Sequence, residues 1–105
     1  MKSIEFVGSS LDDLKSFPLD AKREAGFNLS LIQGGLEPSD IKPMKTVGMG
    51  AYEIRIHVQS ECRVIYVAKF NSALYVLHAF HKKTQKTAQS DIDIAKKRYK
   101  QIQGE

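Results

Sequence analysis

The side chains that could bind a phosphate are concentrated between residues 51 and 87 of the sequence. Arg55 and His57 alternate along one β-like run, Arg63 begins the next, and three basic residues end the third: His81, Lys82 and Lys83. An arginine fork binds phosphate oxygens in pairs, and histidine exchanges protons near neutral pH. These residue types therefore indicate a sheet that binds phosphate and carries side chains capable of acid–base chemistry.

Three consecutive strands must position these side chains. From Tyr52 to Gln59 the residues alternate, which is typical of a half-buried strand. One face carries Tyr52, Ile54, Ile56 and Val58, and the other carries Glu53, Arg55, His57 and Gln59. We expect the second strand at Cys62 to Phe70 and the third at Ala73 to His81.

Arg63 is the unusual residue of the second strand. It shares a face with Ile65 and Val67, as expected of a central strand covered on much of both sides. An arginine in that position is rarely left unpaired. We therefore expect it to reach a carboxylate, a sheet edge or an open ligand groove.

The rest of the chain predicts helices around this sheet. Lys2 to Val7 reads as a first strand, and apolar residues then recur at helical spacing up to Ile32, with an interruption at Pro18. Pro38 to Pro43 reads as a loop, and Thr87 can cap a last helix. Its apolar stripe consists of Ala88, Ile92, Ala95, Tyr99 and Ile102. We expect the helices to cover one face of the sheet. The opposite face, to which Glu53, Arg55 and His57 point, is expected to be open between the loop side and the last helix, and the first strand to join the sheet parallel to another strand.

Composition narrows the class of protein. A chain of 105 residues with 42% hydrophobic residues suits one domain over residues 1–105. Residues 1–52 carry six Lys/Arg against seven Asp/Glu, whereas residues 53–105 carry ten against five, which suggests a nucleic acid or an acidic protein as partner. The single cysteine, Cys62, excludes an internal disulfide, and no Cys/His pair has metal-ligand spacing. Without a membrane-spanning stretch or a signal-peptide pattern, the sequence predicts a cytoplasmic protein.

Four segments resemble the RelE/ParE toxin superfamily: YEIR at 52–55, CRVIY at 62–66, VLHAFHKKTQKT at 76–87 and DIDIAKKR at 91–98. The third is especially similar to the HigB-like, phage-related branch. The resemblance implies an α+β fold in which a helical hairpin packs on a curved, mainly antiparallel four-stranded sheet, with a C-terminal helix. It also implies a type II toxin that cleaves mRNA on the ribosome without a metal or another cofactor. The implied partners are that mRNA and a cognate antitoxin, which we expect to be a helix-turn-helix protein.

The resemblance assigns roles to the basic residues. Cleavage by the RNA 2′-OH needs a proton acceptor, a proton donor and fixed positive charge around the phosphate. Arg63, Arg55 and Lys82 match basic positions of the family and would stabilise the phosphate, while His81 or His57 would act as acid or base. Backbone contacts are expected from the remaining candidates: Lys83, Lys86 and Lys69.

Structural roles compete with some of these functional ones. His78 is in phase with Val76 and Phe80, which favours a hydrogen-bonded core histidine. We interpret Tyr52 and Tyr66 as packing residues rather than base-stacking platforms, and Cys62 as a small packed residue.

Glu53 stands where relatives place a cation, so two alternatives to the nuclease stay open. One is a gyrase-poisoning toxin of the same superfold, and the other is an orphan of the fold that has lost the chemistry.

Overall fold

The computed structural model describes residues 1–68 and 73–103. Helices and strands follow one another in this order: β1 (Ser3–Phe6), α1 (Ser10–Lys15), α2 (Leu19–Gln33), β2 (Ile41–Pro43), β3 (Ala51–Ile56), β4 (Cys62–Val67), β5 (Ala73–His81) and α3 (Gln89–Gln103). Within this part of the chain no helix is both long enough and apolar enough to cross a membrane.

The strands form one five-stranded sheet in the order β1-β5-β4-β3-β2. β1 runs parallel to β5, as predicted, and the other pairs are antiparallel. The prediction of four strands is wrong, because Ile41–Pro43, which we expected to be part of a loop, pairs with β3. Three residues are too few to show a period, and Pro43, which lacks an N–H donor, is tolerated here because β2 is an edge strand.

The helical hairpin α1–α2 covers one face of the sheet. It contributes Leu14, Phe17, Ala21, Ala25, Leu29 and Ile32 to a buried cluster with the sheet. The sheet side of this cluster consists of Ile54, Ile56, Cys62, Val64, Tyr66, Leu74, Val76 and Ala79. The predicted helical hairpin and its apolar spacing are therefore confirmed.

Helix α3 packs on the other face, which we had expected to be open between the loop side and this helix. Its apolar stripe buries Ala95, Tyr99 and Ile102 against that face. The same buried cluster contains Met44, Val47, Ala51, Ile65, Val67, Leu77 and Phe80. The sequence identifies the stripe but not the face on which it packs, because that choice depends on the path of the chain after β5.

The pairing of β4 with β5 contains a register shift on the face that α3 covers. Ile65 pairs with His78 but Tyr66 pairs with Val76, so Leu77 is the extra residue of a bulge. The bulge places Leu77 in the cluster under α3, next to His78, whose side chain bonds to α3.

Strands β3 and β4 both end earlier than the sequence predicts. β3 stops at Ile56, so His57 and Gln59 belong to the connection to β4, where Gln59 adopts φ 65°. β4 ends at Val67 and does not include Ala68, which we expected in the strand; the last two residues of the predicted strand, 69 and 70, lie outside the described residues.

Candidate functional site

A cluster of charged side chains lies at the end of the sheet where β3 passes into β4. The antiparallel register places Arg55 directly opposite Arg63, so both side chains project from the face that α3 partly covers. His57 follows at the end of β3. We call Asp40, Arg55, His57, Glu61 and Arg63 the Arg–His cluster.

Two carboxylates link the cations of the Arg–His cluster. Arg55 donates from Nε to Asp40 Oδ1 at 2.7 Å, and His57 Nε2 lies 2.8 Å from Asp40 Oδ2. On the other side of the ring, His57 Nδ1 lies 2.9 Å from Glu61 Oε2. Arg63 donates from Nη2 to Glu61 Oε1 at 3.1 Å. Each cation of the cluster is therefore bound to a carboxylate of the same chain.

These contacts shift the pKa values of the three titratable groups. Hydrogen bonds with Glu61 and then with Asp40 raise the pKa of His57 above 6.5. For Asp40, burial opposes the change, but hydrogen bonds from Arg55 and His57 hold its pKa below 3.8. Hydrogen bonds from His57 and Arg63 lower the pKa of Glu61. The imidazolium form of His57 is therefore favoured, and that form is a proton donor.

Arg63 also forms a buried ion pair with Glu53. Their side chains are 4% and 1% exposed, and Arg63 Nε lies 3.8 Å from Glu53 Oε1 without forming a hydrogen bond. Arg63 Nη1 donates to the carbonyl of Cys62 at 2.9 Å, and Glu53 Oε2 accepts from Thr87 Oγ1 at 2.8 Å. We expected Arg63 to reach a carboxylate, a sheet edge or an open ligand groove, and the structure shows it beside two carboxylates, those of Glu53 and Glu61. Glu53, expected on an open face, is buried.

His81 is not brought into the Arg–His cluster. Its ring packs edge-on against Phe17 of the helical hairpin at 5.4 Å, and its Nδ1 lies 3.7 Å from the Sγ of Cys62. Cys62 belongs to the core under α1 and α2 and is 0% exposed, as expected of a packing residue. His81 and Arg55 therefore lie on opposite faces of the sheet.

His78 is a core histidine, as predicted. It is buried, its Nε2 lies 2.7 Å from Asp91 Oδ1, and its ring stacks on Phe80 at 4.8 Å. Tyr52 and Tyr66 also pack rather than present open rings. They stack on each other at 6.0 Å, and burial raises the pKa of Tyr66 to about 12.

The lysines that follow β5 line two cavities beside the Arg–His cluster. Lys82 and Lys83 line a cavity of about 380 Å³ together with His81 and Asp91. Lys86, from the same loop, lines a second cavity. Within residues 1–68 and 73–103 none of these three lysines forms an ion pair. Lys69, the last predicted RNA-binding residue, lies outside the described residues.

Sequence reasoning missed the two carboxylates of the Arg–His cluster. Asp40 lies in the segment that we interpreted as a loop, and its backbone carbonyl accepts from the N–H of Arg55 at 3.0 Å. Glu61 could have been found, since it is four residues after His57 across a tight connection. Among the described residues no group of three or more His, Cys, Asp and Glu side chains is arranged to hold a metal ion.

One protein-family model and one solved structure each match most of the chain. The family model described as "Phage derived protein Gp49-like (DUF891)" matches residues 12–100. The solved structure of a mutant of the E. coli toxin RelE in the free state superposes with a TM-score of 0.63 and 12% sequence identity, covering 96% of this chain and 97% of that chain. At that identity the likeness shows a shared fold. No curated protein sequence matches the chain.

Proposed function

The chain belongs to the Gp49-like family of phage-derived proteins, and from that membership and its RelE-like fold we propose that it is the toxin of a type II toxin–antitoxin module. Its partner is a cognate antitoxin, a small helix-turn-helix protein. The toxin acts in the cytoplasm as a ribosome-dependent mRNA interferase, an endoribonuclease that stops translation.

One observation carries the nuclease proposal: Arg55, Arg63 and His57 converge at one end of a RelE-like sheet. Two carboxylates occupy the space between these cations. Carboxylate oxygens and phosphate oxygens are interchangeable acceptors for an arginine fork. A phosphodiester that displaced Asp40 or Glu61 would therefore find its donors already in place.

The proposed reaction is attack of a ribose 2′ oxygen on the adjacent phosphorus. The 2′ hydroxyl gives its proton to whichever carboxylate of the Arg–His cluster, Asp40 or Glu61, the phosphodiester does not displace. The new bond joins the 2′ oxygen to phosphorus, the bond from phosphorus to the 5′ oxygen breaks, and a 2′,3′-cyclic phosphate forms. His57 delivers its proton to the departing 5′ oxygen, while Arg55 stabilises the negative charge on the pentavalent phosphate. Lys82 adds positive charge from the neighbouring cavity. We assign no step to His81, because it lies on the opposite face of the sheet.

A second candidate is a non-nucleolytic toxin of the gyrase-poisoning kind. The buried Arg63–Glu53 pair favours it, because an arginine that is 4% exposed and already bound to carboxylates is a poor clamp for a phosphate. A gyrase poison needs a binding surface but no acid–base residues.

Induced expression distinguishes these candidates. The nuclease predicts growth arrest with cleaved messages and a stop in protein synthesis, whereas the gyrase poison predicts intact messages and an induced DNA-damage response. Absence of growth arrest, with the protein present in folded form, would contradict both and favour an orphan of the fold.

A further inference from the structure

A cleft lined by lysines lies beside the Arg–His cluster. It has a volume of about 630 Å³ and runs between the segment 42–46, on one side, and the segment 85–92, on the other. Lys42, Lys45 and Lys86 line it together with the hydroxyl residues Thr46 and Thr87. We call this cleft the lysine groove.

The lysine groove differs from the Arg–His cluster in that its cations are not neutralised. No acidic residue lines it, and within the described parts of the chain none of its three lysines forms an ion pair. Glu53 lies next to it, bonded to Thr87, but this carboxylate is buried and faces Arg63. The groove therefore offers uncompensated positive charge to a ligand.

The sheet register connects the lysine groove to the Arg–His cluster. Lys42 pairs with Glu53, and Arg55 is two residues further along the same face of β3. Two residues of a strand span about 7 Å. A ligand with repeated negative charges could therefore occupy both sites at once.

From this placement we propose that the lysine groove binds the phosphodiester backbone of single-stranded RNA, next to the phosphate held in the Arg–His cluster. The proposal rests on the function proposed above. Lysine is a mobile point charge that binds phosphate without the fixed geometry of an arginine fork, which suits a backbone of any sequence. The cleft has the volume of a small-molecule pocket and is too small for a duplex, and Ile92 adds an apolar wall for a base or ribose.

The test is the salt dependence of RNA binding by the purified chain. The variant Lys42→Gln/Lys45→Gln/Lys86→Gln removes the charge of the groove. A matched control, Lys96→Gln/Lys97→Gln/Lys100→Gln, removes the same charge from exposed positions of α3. The probe is a short unstructured RNA, with binding measured over a range of salt concentrations.

If all three groove lysines contact phosphates, the slope of log K against log salt falls by about 2, and affinity falls roughly 100-fold at about 0.1 M salt. The control should change both quantities much less. Equal losses in the two variants, or no RNA binding by the parent, would overturn the proposal. Unchanged RNA binding with lost binding to a polyglutamate peptide would assign the groove to an acidic protein instead.

The groove proposal and the toxin proposal can be refuted separately. Growth arrest with cleaved messages, combined with a groove variant that binds RNA like the parent, would remove the groove proposal alone. A groove-dependent salt slope in a chain that causes no growth arrest would remove the toxin proposal and leave the groove as an RNA-binding site.

Discussion

At the scale of single residues, the contacts of His57 make the Arg–His cluster sensitive to pH. The pKa of His57 is raised, so its contribution to stability is fully present below its unfolded value of 6.5 and is lost as pH rises through the folded value. The pKa values of Asp40 and Glu61 are lowered, so their contributions are present above 3.8 and 4.5 and are lost as pH falls. The contacts stabilise the fold most between these limits.

We predict that the stability advantage of the parent over His57→Gln is largest between about pH 4.5 and 6.5 and shrinks as pH rises further. The measurement is the midpoint of thermal unfolding of both proteins across this range. In a Glu61→Gln background the advantage should be smaller, because Glu61 is the largest cause of the shift. An advantage that grows toward alkaline pH would show that the imidazolium contacts are wrong.

The buried Arg63–Glu53 pair predicts a large cost for removing one partner. Arg63→Ala leaves the carboxylate of Glu53, which is 1% exposed, without its cation, and we expect a loss of about 3–5 kcal/mol in the free energy of unfolding. The double variant Arg63→Met/Glu53→Leu should recover most of that loss, because it leaves no unpaired buried charge. Urea denaturation measures both.

A loss below about 0.5 kcal/mol for Arg63→Ala, the size of an ordinary surface change, would contradict the buried pair. If the loss is as large as expected, reduced toxicity of Arg63→Ala would report unfolding rather than chemistry. Arg55→Gln is then the sharper functional variant, because the Arg55 side chain is 42% exposed.

The sequence pointed to the three cations of the Arg–His cluster, Arg55, His57 and Arg63, but not to the carboxylates that bind them. The face on which Arg55 lies follows from alternation along β3, which depends only on local backbone geometry, whereas His57 lies beyond the end of that strand. The pairing of Arg63 with Glu53 depends on the register between β3 and β4 and on α3 lying over both. Neither is encoded within a single run of residues.

At the scale of elements, the turn between β2 and β3 packs tightly on α3. A Cβ at Gly48 would lie 2.6 Å from ring atoms of Tyr99, which is buried and donates from its hydroxyl to the carbonyl of Met49 at 2.7 Å. The ring therefore fixes the position of the turn that carries Lys45, one of the lysines of the groove.

We predict that Gly48→Ala destabilises the protein by about 1–3 kcal/mol, because the ring or the turn must move. Gly26→Ala is the matched control: it lies in α2 with no atom within 4 Å of an added Cβ, and it should stabilise by about 0.5–1 kcal/mol. Denaturation curves of both variants measure the change in the free energy of unfolding. Equal effects of the two substitutions would contradict the close packing of Gly48 against Tyr99.

The elements were predictable where their patterns are long. β5 was predicted at its observed bounds because its nine residues form a long, mostly apolar run in the sequence. β2 has three residues and ends in proline, so it shows no such pattern. It is a strand because its backbone pairs with that of β3. The stripe of α3 was predicted, but its position over the second sheet face depends on tertiary packing.

At the scale of the whole molecule, helices pack on both faces of one mixed sheet, and the lysine-rich loop after β5 emerges beside the Arg–His cluster. Part of the positive charge in the second half of the sequence, from Arg55, Arg63, Lys82, Lys83 and Lys86, therefore lies around one end of the sheet, while most of the rest lies on α3. This arrangement, in a chain of the Gp49-like family with a RelE-like fold, is the basis of the nuclease proposal.

The most direct test of that proposal is a map of mRNA 5′ ends after induced expression, made for a message that is translated and for the same message with its start codon removed. We predict new 5′ ends, phased with the codons, only in the translated message, and their loss in Arg55→Gln while the matched surface variant Arg23→Gln retains them. Uncut messages in growth-arrested cells, or equal cutting with and without translation, would contradict a ribosome-dependent nuclease.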